Sequence, residues 1–145
     1  MAAGIAASDR ALRWNAAFFA VVFVLVVGSG WVPGWYRWTG DEREVFGLYM
    51  MSALDDITHG VTALACLGAA LHSGRLVRRV FVTFGSYYAL DALFFLLYGL
   101  VNGKTLMANV MLNLPHVIIG AWMLTLAYAR PQAERVAAFG ELAAA

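Results

Sequence analysis

Charge is scarce in this chain. Asp, Glu, Lys and Arg together supply 13% of its 145 residues, about half the share of an ordinary soluble domain. Hydrophobic residues supply 62% and mean hydropathy is +0.71. So few charges could not keep that much apolar surface in water, so the expected solvent is lipid. The net charge of +1 leaves no bulk field to recruit nucleic acid, and none is expected as a partner. Cysteine occurs once, at Cys66, which excludes an intramolecular disulfide. Nucleophile elbow, P-loop and zinc-protease helix are all missing, so a hydrolase or nucleotide enzyme has no motif to rest on and no enzymatic activity is expected.

What the chain does have is four apolar runs, at about 14–32, 50–72, 77–101 and 107–129. Each is near the roughly 20 residues that cross a ~30 Å hydrocarbon core. Backbone in lipid must bond within its own segment, and these runs do not alternate as barrel strands do, so each is expected to be a helix. The expected fold is all-α: one domain, a four-helix transmembrane bundle of up-down topology built from two duplicated hairpins. The second run has an open start, with Val45 as its earliest candidate.

The loops orient it. Arg10, Arg13, Arg75, Arg78, Arg79, Arg130 and Arg135 fall on one side of a four-span chain. Arg37, Arg43 and Lys104 fall on the other, beside Asp41, Glu42 and Glu44. The positive-inside rule then puts both termini in the cytoplasm and Trp31, Trp35, Tyr36 and Trp38 at the outer interface. Arginine in place of lysine, with abundant Ala and Gly, fits a high-GC bacterial genome and hence an inner membrane. A competing reading makes the first run a cleaved signal peptide, with Arg10 and Arg13 before it and Gly28-Ser29-Gly30 as the cleavage region.

The second and fourth runs share a short pattern. Asp56-Ile57-Thr58-His59 followed by Ala63 aligns with Asn113-Leu114-Pro115-His116 followed by Gly120. A weaker match sets Asn15–Phe19 against Asp91–Phe95, but the two segments lie at different depths, so it is discounted. The stronger pattern resembles a family of uncharacterised four-helix bacterial membrane proteins that carry N-x-x-H-x-x-x-G near the start of both even-numbered helices. His116 with Asn113 and Gly120 fits fully, while Asp56 and Ala63 depart from it around His59. The resemblance implies fold and membrane location and supplies no activity.

Helical spacing puts His59 on a face with Asp55 and Asp56, His116 with Asn113 and Asn109, and Asp91 with Tyr87. Such polar stripes are expected to face the interior, because ionisable groups in lipid cost roughly 2.5–3.5 kcal/mol or more. Asp91 and His116 each lie roughly nine residues, ~14 Å, from the outer end of their runs, and His59 reaches a similar depth. A buried outer-half site of His59, His116, Asp91, Asp56 and Asn113 is therefore expected. Pro115 adds a break that frees the carbonyl of Met111.

Three readings of this site stay open. One is a ligand or metal site, with His59, His116 and Asp91 as ligands to a metal ion and Asp56 or Asn113 orienting the rings; in a variant of it the two histidines clamp a b-type haem or the protein works with a quinone. In the second, a structural or accessory subunit, the same groups make interhelical hydrogen bonds, and Asp55 and Asp56 mark a wet helix start. The third is a proton conduit, which would need matching polar residues in the cytoplasmic half, where Thr83, Ser86 and Thr125 are thin cover. Partners are expected to be the lipid bilayer and a second copy or another membrane protein. Arg78 and Arg79 read as topology determinants with anionic-lipid contacts.

Overall fold

A computed structural model of the protein describes residues 8–129. Arg130 and Arg135, counted above for orientation, lie outside them. The chain is mostly helical: α1 (Asp9–Ser29), α2 (Ala53–His72), α3 (Gly74–Val101) and α4 (Leu106–Tyr128). Between α1 and α2 runs a small antiparallel sheet, β1 (Tyr36–Thr39), β2 (Glu42–Val45) and β3 (Tyr49–Met51), in that order. The all-α expectation is corrected on this point, and Val45 belongs to a strand instead of to α2.

The sheet has local causes. Thr39 pairs with Glu42, so Gly40-Asp41 forms a two-residue turn with Gly40 at φ +65°, the conformation a tight hairpin demands of its first central residue. Along β2 burial alternates: Arg43 and Val45 are buried while Glu42 and Glu44 are turned away. One face of the hairpin thus lies on the helices.

Three helices, α1, α3 and α4, are long and apolar enough to cross a membrane. The fourth, α2, has 20 residues, but its N-terminal half is diluted by Asp55, Asp56, His59 and Thr62. Hydroxyls start the helices. Ser52 forms a reciprocal capping box with Asp55, Ser73 caps α3 and Thr105 caps α4, each satisfying N–H groups that a helix start leaves free.

The helices pair as two hairpins, α1 with α2 and α3 with α4. Small residues set the closest approach in the second. A Cβ at Gly120 would stand 3.0 Å from the backbone N of Ala89 and O of Gly85. At the end remote from the sheet, arginines tie each pair. Arg13 of α1 donates to the carbonyls of Ala70 (2.6 Å) and Leu71 (3.4 Å) at the end of α2. Arg78 of α3 donates to those of Ala127 (2.9 Å) and Ala129 (2.5 Å) at the end of α4. Each supplies donors and positive charge where a helix C-terminus lacks both. Arg78, read from sequence as a topology signal, is thus also a structural clamp. The core between the hairpins is aromatic and aliphatic, with Phe19, Phe23, Phe81 and Met123 fully enclosed.

Candidate functional site

Toward the sheet end, each helix contributes one ring to a single cluster. Phe23 of α1, His59 of α2, Tyr88 of α3 and His116 of α4 meet there. Phe23 lies 5.6 Å from His59 and 5.3 Å from Tyr88 between ring centroids. Tyr88 lies 6.1 Å from His59 and 5.3 Å from His116. The two imidazoles are 6.1 Å apart, so they stand at one level. Tyr88 is 1% exposed and joins all three other rings.

The proton positions of this cluster follow from its bonds. Thr62 Oγ1 donates its one proton to the Thr58 carbonyl at 2.8 Å. The 2.9 Å contact between Thr62 Oγ1 and Tyr88 Oη is then a bond donated by the phenol. His116 Nδ1 lies 2.8 Å from Asp91 Oδ2, so Nδ1 carries a proton directed at the carboxylate. His59 has no such partner. It is 9% exposed, and its Nδ1 is fully enclosed without a hydrogen bond.

The remaining expected site residues point elsewhere. Asn113 donates to the carbonyl of Asn109 at 2.8 Å and to its side-chain oxygen at 3.3 Å. Asn109 in turn donates to the Leu96 carbonyl of α3 at 2.5 Å. Gly99 makes room for it, since a Cβ there would land on the Asn109 amide. Asn113 therefore steadies Asn109, which ties α4 to α3, and makes no bond to His116. Asp56 pairs with Arg43 of β2 instead of with His59. Arg43 is 2% exposed, donates to the Gly30 carbonyl at 2.6 Å and stacks 4.1 Å from the Trp31 ring centroid. Asp55 is spent on the capping box, with Ser52 N donating to its Oδ2 at 2.7 Å.

The residues expected to ligate a metal ion are His59, His116 and Asp91. No group of three His, Cys, Asp or Glu among the described residues is placed to hold a metal ion. Asp91 is engaged with one imidazole, and the other packs beside Phe23 and Tyr88, whose rings also touch each other.

Beside the cluster is a cavity of about 220 Å³. Phe23 and Val26 of α1, His59 of α2, and Pro115 and His116 of α4 wall it, and the β2–β3 turn with Phe46 covers it. Phe46 holds φ +55°, a strained conformation for a bulky residue. The walls are apolar apart from Ser29, Tyr49, Asp55 and the two imidazoles. A haem is too large for this volume, which lies below the roughly 300–1,000 Å³ of pockets for drug-sized ligands.

Sequence reasoning missed Tyr88 and Thr62, because it searched for ionisable stripes and passed over a tyrosine inside an apolar run. Arg43 was counted as loop charge. Its signal was the alternation of β2 after a Gly-Asp turn. No family model matches the chain, and neither a curated protein nor a solved structure matches it.

Proposed function

We propose that the chain is a polytopic protein of a bacterial inner membrane, with four spans in up-down order and both termini cytoplasmic. Its outer half forms a binding pocket for a small, largely apolar molecule. We also place it with the four-helix bacterial family that carries N-x-x-H-x-x-x-G. The support there is the motif around His116, whose Gly120 is the point of closest approach to α3. The α2 helix is read as the fourth span because its polarity runs inward. Leu54, Leu64 and Leu71 are 70%, 71% and 73% exposed, while Thr62 is 0% exposed. In water that arrangement would be unstable, and in lipid it is the favoured one.

One observation carries the pocket reading. A cavity of about 220 Å³ with apolar walls has, as part of its inner wall, a buried imidazole without a partner. Pockets for small molecules combine apolar walls with a few converging polar groups, and a buried polar atom left unpaired costs about 1–3 kcal/mol. A ligand that bonds His59 would recover that cost. The interhelical-peg reading fits Asn109, which bonds α3 and is held by Asn113, but it gives His59 no hydrogen bond to make.

The test is extraction. The protein purified in native lipid should release one small molecule in near-stoichiometric amount on mass spectrometry. An Ile119→Trp variant, with the cavity wall pushed inward, should release none. Equal release from both, or none from either, contradicts the pocket.

A further inference from the structure

The two hairpins place equivalent residues in equivalent contacts. Arg13 and Phe23 are ten residues apart on α1, as Arg78 and Tyr88 are on α3. His59 and Ala70 are eleven apart on α2, as His116 and Ala127 are on α4. Arg13 bonds Ala70 as Arg78 bonds Ala127. Phe23 lies 5.6 Å from His59, and Tyr88 lies 5.3 Å from His116. One difference breaks the correspondence. Three residues beyond Tyr88 stands Asp91, bonded to His116 Nδ1 at 2.8 Å. Three residues beyond Phe23 stands Val26, and His59 Nδ1 has no partner. Val26 and His59 both line the cavity.

From this mismatch, and resting on the pocket reading above, we propose that the ligand is a neutral carbonyl compound of about one substituted six-membered ring, whose oxygen accepts from His59 the hydrogen bond that Asp91 accepts from His116. Three arguments fix that class. The first is the unpaired His59 nitrogen set against the paired one of His116. Where one half has a carboxylate the other has a valine, so the missing group is an acceptor. The second is charge. Asp55 lines the same cavity and Asp91 lies behind His116, while Arg43 is committed to Asp56 and Gly30. An anionic head would meet carboxylates without a spare cation, and a neutral carbonyl avoids that repulsion. The third is size. An apolar cavity of about 150 Å³ admits benzene, so about 220 Å³ admits a ring with a short substituent. His59 Nδ1 as placed is enclosed, so the bond requires a half-turn of the imidazole, which exchanges its nitrogens with ring carbons at nearly constant shape and brings a different ring edge to the cavity.

The experiment compares acetophenone, ethylbenzene and benzoate, three probes of nearly equal size, on the full chain in lipid nanodiscs by calorimetric titration. Acetophenone should bind about three- to tenfold more tightly than ethylbenzene, the gain expected of one hydrogen bond, and benzoate most weakly. His59→Phe, which keeps a ring in the stack, should bind acetophenone and ethylbenzene equally. Val26→Asp, which supplies the acceptor from within, should also abolish the preference. If acetophenone and ethylbenzene bind the unaltered protein equally, or if the preference survives His59→Phe, the carbonyl assignment is overturned while the pocket stands. Tightest binding by benzoate overturns the neutrality of the ligand. Binding of none of the three overturns the pocket reading itself.

Discussion

Arg43 and Arg37 sit on directly paired strands and both pair with a carboxylate, yet they should behave differently on substitution. Arg43 is enclosed, bonds a backbone carbonyl as well as Asp56, and stacks on Trp31. Removing it leaves Asp56 with an uncompensated buried charge, which costs about 3–5 kcal/mol. Arg43→Ala is therefore expected to lower the unfolding midpoint sharply in detergent, and Arg43→Lys to rescue it poorly, because a point charge cannot serve both acceptors. Arg37 is paired with Glu44 at the surface, a bond that raises its pKa above the ordinary value. Arg37→Ala should leave the midpoint unchanged within error. Circular-dichroism melts of the three variants check both statements. A comparable loss from Arg37→Ala and Arg43→Ala would remove the special role given to burial. Asp91→Asn tests the other pair. The two side chains are 29% and 18% exposed, so the loss should fall short of the Arg43 effect, at about 1–3 kcal/mol.

Among the elements, the α3–α4 contact is the most constrained. The backbone of α3 stands against Gly120, so a methyl group there must push the helices apart. Gly120→Ala is expected to cost about 1–3 kcal/mol as an overpacking change. Gly60 and Gly68 of α2 have nothing within 4 Å of a built Cβ. Gly→Ala at either should be neutral or stabilising by up to about 1 kcal/mol through helix propensity. Melting temperatures of the single variants decide this, and a loss at Gly60 equal to that at Gly120 would mean that α2 has a packing partner on its outer face. The clamps belong to this scale too. Arg78→Ala should destabilise more than Arg79→Ala, because Arg78 bonds the last carbonyls of α4.

Much of the helical layout was legible in the sequence, because each expected run coincides with a helix and the ends differ by a few residues. Apolar length is a strong signal. The pairing of Asp91 with His116 was legible as a shared interior need, since both sit on stripes that cannot face lipid. The sheet was not. Trp31–Met51 is rich in aromatics that also suit an interface, and four-residue strands hardly establish a period. Nor could spacing tell that Asp56 would turn to Arg43. A helical face holds several neighbours, and the choice was made by a strand that the sequence reading had taken for loop.

At the scale of the whole molecule, the account requires that a chain of low charge keep its polar groups on an inner axis and its leucines outside. The topology proposed for it has a direct consequence. Reporter fusions at Gly103 and at the C-terminus should lie on opposite sides of the membrane, and the same side for both would contradict four spans. The claim on which everything else depends is narrower: the two imidazoles share one site at one level, with Asp91 on one of them and no protein group on the other. The chain has 3 histidines, so histidine-labelled protein in lipid gives a simple solid-state NMR spectrum. For the ligand-free protein the account predicts a through-space contact between His59 and His116, a strongly hydrogen-bonded His116 Nδ1 proton whose bond weakens in Asp91→Asn, and no such proton on His59. Absence of the His59–His116 contact, with a His116 signal indifferent to Asp91→Asn, would contradict it.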